Sequence, residues 1–181
     1  MTDHMDVTSA VPSAAGDVVT AWRTACEQGD SDAAVRCLAA DDVVVSPLTA
    51  LFQFTGRDQA MGLVAAALEL LSDVRFHTEV GDGPTRTLFL RAGVGREQLE
   101  MAQLLRLDDA GLIRELTLFG RPLPALTALM AGLGPRLLRR GGRPGLGRVL
   151  GAATVPLAVL SRVGEQRLVP LADPNRPRRR G

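Results

Sequence analysis

The sequence predicts an α+β fold in which N-terminal helices wrap a curved antiparallel sheet around an apolar cavity, with a C-terminal helical extension. Three observations lead to this prediction. Apolar residues recur at helical spacing up to about residue 71, alternating strands joined by tight turns follow to about residue 122, and glycine, proline and arginine then interrupt the chain. Helices followed by hairpin-linked strands indicate an α+β domain and not a doubly wound parallel sheet.

Length and composition narrow the class of protein. The 181 residues suffice for one domain with a buried core and an appendage, whereas two domains would be cramped. Aromatic residues make up only 3% and tyrosine is absent, which removes the base-stacking surfaces typical of single-stranded nucleic-acid binding. The net charge of +1 gives no overall attraction to nucleic acid or to a membrane. We therefore expect no nucleic-acid partner.

Several features indicate a reducing, cytoplasmic compartment. Cys26 and Cys37 are the only cysteines, and they fit buried helix thiols better than a disulfide framework. Residues 1–16 have neither the basic start nor the apolar run of a signal peptide, and we expect a disordered lead-in there. The longest apolar stretch, residues 149–163, falls short of the roughly 20 residues that span a bilayer.

The first part of the chain carries three predicted helices. Asp17 is placed to cap a helix that ends before Gly29, and a shorter helix follows over residues 31–38. Apolar residues at helical spacing predict a third helix over residues 57–71. Trp22 lies on the apolar face of the first helix, so we expect it to cover the concave face of the sheet.

Strands account for most of the remaining core. β-Branched runs, apolar–polar alternation and intervening turn residues predict strands over residues 43–45, 52–55, 74–80, 86–94, 97–107 and 112–119. Phe76 and Thr78 share one face of the third strand, whereas His77 lies on the other. Gln103 is the polar exception on the apolar face of the longest strand.

The chain changes character after Pro122. A helix is predicted over residues 123–133 within an apolar, arginine-rich extension that runs over residues 123–173, and residues 174–181 form a basic tail that we expect to be disordered. The leucines of the extension must cover the cavity mouth of their own chain, the sheet of a second subunit, or a membrane surface. Packing on the domain is favoured, because glycines and prolines break any long amphipathic helix.

Three local patterns, together with this order of elements, carry a resemblance to a known family. They are an aromatic residue, Trp22, on a helix that ends in Gly-Asp; the Asp-Asp-Val-Val-Val-Ser-Pro run over residues 41–47; and the Leu-Arg-Leu-Asp-Asp-Ala-Gly-Leu-Ile run over residues 105–113. Over residues 17–122 the chain resembles the nuclear transport factor 2-like superfamily, in particular its SnoaL-like and ketosteroid isomerase-like branch. The resemblance implies a cone-shaped sheet, a cavity for a small apolar molecule, and a homodimer formed through the convex sheet face.

The resemblance also identifies three positions that carry catalysis in ketosteroid isomerases. Ser46 stands where those enzymes have a carboxylate base, Gln103 where they have a protonated Asp, and Trp22 where they have a Tyr. All three residues are changed here. A serine without a partner is a poor base and an amide has no tunable acidity, so unmodified ketosteroid isomerase activity is not expected.

Four residues remain candidates for catalysis: Asp42, Ser46, His77 and Gln103. The unperturbed pKa of histidine lies near neutrality, which suits His77 to acid–base work, but the alternative is a surface or dimer-interface histidine. Asp42 either lines the cavity or ends a turn. Gln103 either contacts a ligand or finds its hydrogen-bond partners in the core.

The expected ligand-binding residues come from the apolar strand faces and the first helix: Trp22, Ser46, Phe76, Thr78, Met101, Gln103, Leu116 and Leu118. No metal is expected, because neither of the two histidines lies at ligand spacing from cysteines or acids, and no cofactor is expected. Two interpretations of function stay open: an isomerase, cyclase or hydrolase of apolar polyketide-, terpenoid- or steroid-like substrates, and a non-catalytic ligand-binding or dimerisation module. Weak peripheral membrane association through the extension is a third.

Overall fold

A computed structural model describes residues 14–40, 42–48 and 53–140. The elements in chain order are α1 Ala14–Gln28, α2 Ser31–Arg36, β1 Val44–Ser46, β2 Phe54–Thr55, α3 Arg57–Leu68, β3 Leu71–Val80, β4 Thr85–Val94, β5 Glu97–Leu107, β6 Ile113–Arg121 and α4 Leu123–Arg140. The predicted lead-in up to residue 13, the extension beyond residue 140 and the basic tail lie outside the described residues.

The strands form one six-stranded sheet in the order β2-β1-β6-β5-β4-β3. Strands β3 to β6 form an antiparallel meander, as the sequence predicts, and β1 pairs with β2 in the same sense. However, β1 pairs with β6 in parallel, so the otherwise antiparallel sheet is mixed at this one pairing. The reason is that one helix and four strands separate β1 from β6, which leaves the direction of β1 relative to β6 free of any hairpin constraint.

The helix boundaries follow local capping chemistry. Helix α1 begins three residues before Asp17, which therefore lies in the first turn and not at the cap. Helix α2 starts after Asp30, whose side chain accepts a hydrogen bond from the Ala33 N–H at 2.9 Å. Its end is held by Arg57, whose guanidinium donates to the carbonyl oxygens of Val35 and Leu38. This tie places the start of α3 beside the end of α2.

The core lies between the helices and the concave face of the sheet. Strand β5 shows the predicted alternation, with every second side chain from Leu99 to Leu107 buried against the helices. Trp22 is 2% exposed and reaches this face from α1. The fold class expected from the sequence is confirmed, with helices on one face of a curved sheet.

A β-bulge in β3 overturns the expected face of Thr78. Phe76 lies opposite Leu90, whereas Thr78 lies opposite Phe89, so His77 is an extra residue on the β3 side of the ladder. Because one inserted residue exchanges the two faces of a strand, Thr78 points to the convex side with Phe89 and not to the concave side with Phe76.

Beyond the bulge the exchange continues to the end of β3. Val80, expected on the apolar face, is 57% exposed. Glu79 instead lies on the helix side, where its carboxylate is 3.4 Å from Arg23 Nη1 of α1 and 3.3 Å from Arg86 Nε of β4. The bulge therefore places one acidic side chain between two arginines at this end of the sheet.

Helix α4 extends further than the sequence predicts. It continues through Gly134 and Pro135 to Arg140, because a proline within a helix removes only one backbone hydrogen bond. Leu129 and Leu133 are buried against α3 and the sheet, so residues 123–140 pack on the domain of their own chain. None of the helices in the described part of the chain is long and apolar enough to cross a bilayer.

Candidate functional site

A small cavity lies between the helices and the concave sheet face, with a volume of about 70 Å³. Helix α1 contributes Trp22 and Cys26, and the centre of β5 contributes Met101 and Gln103. The remaining lining is aliphatic apart from a proline and a second methionine. It comes from β1 and the turn after it, α3, β3, β6 and α4: Val45, Pro47, Leu48, Leu63, Val64, Ala67, Leu68, Leu71, Leu116, Leu118, Leu129, Met130 and Leu133. The cavity is therefore almost wholly apolar.

Gln103 is the one side-chain amide in this lining, and its orientation is fixed by Trp22. The indole Nε1–H of Trp22 donates to Gln103 Oε1 at 2.8 Å, and both side chains are buried. An indole can only donate, so the amide oxygen must face Trp22 and the NH₂ group must face away from it. That NH₂ group lies 3.9 Å from Met101 Sδ, a weak acceptor. The Gln103 NH₂ group can therefore donate a further hydrogen bond beside the cavity.

Cys26 lines the cavity as well, although the sequence suggests only a core thiol. Burial raises its pKa strongly, and the neighbouring Cys37 and Glu27 raise it further. The thiol is therefore neutral at physiological pH, and the thiolate that would act as a nucleophile is not populated. Cys26 contributes apolar surface to the site and no activated sulfur.

Five of the eight expected ligand-binding residues come together around the cavity: Trp22, Met101, Gln103, Leu116 and Leu118. Their shared position follows from the strand register, since Gln103 lies opposite Leu118 and the neighbouring inward residue pair is Leu105 with Leu116. Their role in binding a ligand stays a prediction. What the register establishes is that all five side chains reach one space.

Three expected ligand-binding residues lie elsewhere. Ser46 points away from the cavity because its neighbour Val45 takes the inward position of β1, and the Ser46 hydroxyl accepts a hydrogen bond from Gln53 Nε2 at 3.0 Å. Phe76 is buried beneath α1, where the Arg23 guanidinium carbon lies 5.9 Å from its ring centroid. Thr78 is carried to the convex face by the bulge.

The candidate acid–base residues also lie outside the cavity. Asp42 is exposed, with Oδ2 2.9 Å from Arg114 Nε. His77 is exposed on the convex face, where Nδ1 lies 2.9 Å from the Thr78 hydroxyl and the imidazole centroid is 6.5 Å from that of Phe89. Neither side chain reaches the space around Gln103.

The sequence does not reveal the contribution of α3 to the lining, and it offers the contribution of α4 only as one of three surfaces that the leucines of the extension could cover. The helical spacing of Leu63, Val64 and Leu68 signals an inward face of α3, but spacing alone does not say what that face covers. Met130 and Leu133 of α4 reach the cavity only because the chain turns back after β6 and packs across the sheet. No local signal in the sequence specifies that return.

The convex face of the sheet carries a second, shallow groove of about 480 Å³. Phe89, Ala102 and Phe119 lie side by side on β4, β5 and β6, and Phe119 is 55% exposed. In the adjoining row, Glu100 accepts hydrogen bonds from Arg91 Nε at 3.2 Å and from Arg121 Nε at 2.7 Å. An apolar stripe therefore lies beside a network of ion pairs.

Comparison with known structures identifies the architecture. A steroid delta-isomerase from Pseudomonas aeruginosa superposes with a TM-score of 0.67 at 24% sequence identity, covering 74% of this chain and 98% of the isomerase. An NTF-2-like protein of unknown function from Burkholderia xenovorans has a TM-score of 0.54 at 14% identity, with 59% and 82% covered. This chain has the nuclear transport factor 2-like fold. The epoxide hydrolase/cyclase-like enzyme SalBIII, which has a role in pyran ring formation in the polyether salinomycin, shares the same fold with a TM-score of 0.51 at 15% identity, covering 59% of this chain and 90% of SalBIII.

These similarities establish the nuclear transport factor 2-like fold. The chemistry of the site has to be derived from the residues of this chain. No protein-family profile and no curated protein matches the sequence. Within this nuclear transport factor 2-like fold, Trp22 and Gln103 are hydrogen-bonded to each other in the cavity wall. The described residues contain no group of three histidines, cysteines or acids able to hold a metal ion.

Proposed function

We propose that this protein binds a small apolar molecule in the cavity and anchors it with one hydrogen bond from the Gln103 amide. The observation that carries the proposal is the cavity lining, which combines aliphatic side chains with one free amide donor and, among the described residues, has no carboxylate or imidazole. General acid–base catalysis needs a titratable group within hydrogen-bond reach of the reacting atom. The lining therefore supports the non-catalytic, ligand-binding interpretation over an isomerase, cyclase or hydrolase.

The chemistry of the anchor defines the class of ligand. Because the Trp22 indole occupies Gln103 Oε1, the amide offers N–H groups to the cavity and no free oxygen. A ligand with a carbonyl or ether oxygen satisfies those donors, whereas a hydrocarbon leaves them paired only with the Met101 sulfur. The volume of about 70 Å³ is far below the roughly 300–1,000 Å³ of pockets that hold drug-sized ligands. The small cavity suits a small ring compound with one acceptor.

The test compares two probes of one shape, cyclopentanone and methylenecyclopentane, which differ in the acceptor oxygen. Trp22 is the only tryptophan and tyrosine is absent, so the emission of the native protein reports directly on the cavity wall. We expect a saturable change in emission with cyclopentanone at concentrations about fivefold lower than with the hydrocarbon, since a net hydrogen bond contributes about 1 kcal/mol. Free N-acetyltryptophanamide controls for collisional quenching by the ketone.

The double variant Trp22→Phe/Gln103→Leu supplies the matched control, because it removes both donors from the cavity wall, whereas Gln103→Leu alone would leave the Trp22 N–H free to donate to the ketone. The double variant should bind both probes with equal affinity, measured as ligand-induced shifts of the thermal midpoint in parallel with the wild-type protein. The proposal is wrong if the wild-type protein shows no saturable response to either probe, or if the double variant retains the preference for the ketone. If the wild-type protein binds the two probes equally, the Gln103 amide does not anchor the ligand, and only the apolar cavity contributes to binding.

We also propose that two copies of the chain pair through the convex sheet face. What supports this is the row of Phe89, Ala102 and Phe119, an apolar stripe that water would otherwise cover, bordered by charged side chains as interface cores usually are. A Phe119→Asp variant should sediment as a monomer while the wild-type protein sediments as a dimer. Met61→Asp, at a side chain that is 39% exposed on α3, is the control that should stay dimeric. A wild-type monomer would refute the pairing.

A further inference from the structure

We infer that the second half of α4 is a gate over the cavity, held shut by ion pairs between Glu69 at the end of α3 and two arginines of α4. A gate of this kind gives the proposed ligand its way in, and to that extent its purpose rests on the proposed function. Its structural basis is independent of any ligand: an anchored first half of α4, a weak point in the helix, and a charged latch beyond that point.

The first half of α4 is anchored firmly on the sheet. Ala125 is fully buried and Leu129 is 2% exposed. Gly120 of β6 allows the close approach, because a Cβ atom there would lie only 2.8 Å from Leu126 Cδ2 and 3.3 Å from Leu48 Cδ2. This half of the helix therefore moves only at the cost of opening the core.

A weak point follows directly after the anchored half. Gly132, Gly134 and Pro135 lie within one turn of α4. Glycine is the poorest helix former after proline, and proline lacks the N–H that would bond to the carbonyl four residues earlier. Helices bend at such places. The segment from Leu133 to Arg140 can therefore swing as a unit while the first half stays in place.

The latch closes this segment onto α3. Glu69 is the C-terminal cap of α3, and its carboxylate lies 3.3 Å from Arg136 Nε and in contact with Arg140 Nη2. The Arg136 Nε–H is not aligned for a hydrogen bond, so this contact is an ion pair without strong direction. The Glu69 side chain is 47% exposed and that of Arg140 is 44% exposed. Pairs so open to water shift an equilibrium by about two- to fivefold each.

Opening the latch would uncover the cavity. Leu133 of the swinging segment and Met130 before it line the cavity, together with Leu68 at the end of α3 and Leu71 at the start of β3. Cys26 of α1 also lines the cavity and is only 4% exposed. A reagent reaches the Cys26 sulfur only when the gate or the whole domain opens, so the thiol is a built-in reporter of access.

The experiment measures the rate at which methyl methanethiosulfonate modifies Cys26 at pH 8 and low salt, read by peptide mass spectrometry so that no cysteine is mutated. A Glu69→Gln variant should react about two- to tenfold faster than the wild-type protein, since it weakens two half-exposed ion pairs. Raising the salt to about 0.5 M should bring the wild-type rate towards that of the variant, because salt screens such pairs. Glu115→Gln removes a comparable ion pair with Arg106 on the convex face and should leave the rate unchanged.

Cys37 distinguishes the gate from global unfolding, since it is buried but does not line the cavity. In Glu69→Gln its modification should stay slow while that of Cys26 accelerates. Gly134→Ala tests the weak point in the opposite direction: a Cβ atom there meets nothing within 4 Å, and the stiffer helix should slow Cys26 modification. The gate is refuted if Glu69→Gln leaves the Cys26 rate unchanged, if Glu115→Gln raises it equally, or if both cysteines accelerate together. None of these outcomes depends on whether cyclopentanone binds.

Discussion

The hydrogen bond between Trp22 and Gln103 should make these two residues energetically dependent on each other. Gln103→Leu leaves the Trp22 indole N–H buried beside aliphatic side chains with no acceptor to replace the amide oxygen at 2.8 Å. An unsatisfied buried donor costs about 1–3 kcal/mol, partly offset here by the gain in apolar burial of the leucine. We expect a net loss of about 1–2 kcal/mol in the free energy of unfolding for this variant.

The reverse change, Trp22→Phe, removes the donor and leaves the Gln103 amide oxygen unpaired. The amide borders a cavity of about 70 Å³, and a bound water needs only roughly 10–15 Å³ of such space, so a water can take the place of the indole N–H. The cost of Trp22→Phe is therefore dominated by lost volume, and we expect about 1–3 kcal/mol. In the double variant Trp22→Phe/Gln103→Leu neither polar group remains, and replacing both partners by apolar side chains is nearly neutral for the polar part.

The coupling between the two sites is the measurable quantity. The double variant should be more stable than the sum of the single variants predicts, by about 1–2 kcal/mol. Urea unfolding followed by far-ultraviolet circular dichroism gives all four free energies without relying on tryptophan emission. If the two changes add within about 0.5 kcal/mol, the hydrogen bond does not hold the amide and the ligand preference argued from it fails as well.

Three further outcomes can be measured on single variants or on the wild-type protein. Gly81→Ala should lower the free energy of unfolding by more than about 1 kcal/mol, seen as a lower thermal midpoint, because φ is +109° there and a Cβ atom would meet the Thr85 carbonyl oxygen at 2.5 Å. Burial raises the pKa of the Cys26 thiol, so its alkylation at pH 8 should be far slower in the native state than in urea. The hydrogen bond from Arg121 and its charge hold the pKa of the Glu100 carboxyl below its ordinary 4.5. The ionised carboxylate therefore stabilises the folded state above pH 4.5, and this contribution is lost as the pH falls through the lower pKa of the folded state. In Glu100→Gln, the free energy of unfolding should depend less steeply on pH over this acidic range.

The parts of the fold that the sequence predicts well are those controlled by local periodicity. Alternation along β5 places Met101 and Gln103 on the inward face, and the helical spacing of α1 brings Trp22 over them. Both patterns depend only on neighbours in the chain, so a regular strand or helix is enough to make them correct. The wall of the cavity that holds the proposed anchor therefore follows from sequence alone.

The errors occur where the structure is set by contacts distant in sequence. The residues around His77 do not predict a bulge, because an extra residue becomes apparent only in the pairing of β3 with its partner strand β4. The resemblance places Ser46 at a cavity position, yet in the structure Val45, which pairs with Leu116 of β6, points inward instead. Leu133 lines the cavity because α4 turns back across the sheet, and that return depends on the packing of the whole domain.

The extra residue at His77 in β3 affects how relatives of this chain can be aligned. Deleting His77 would restore regular pairing while leaving Thr78 opposite Phe89 and Glu79 beside its two arginines, so a relative that is one residue shorter here keeps the same faces. A sequence alignment without a gap at this place would match residues from opposite sides of the sheet. Two proteins of this architecture can thus be nearly identical in sequence along β3 and still expose opposite sets of side chains at the end of that strand.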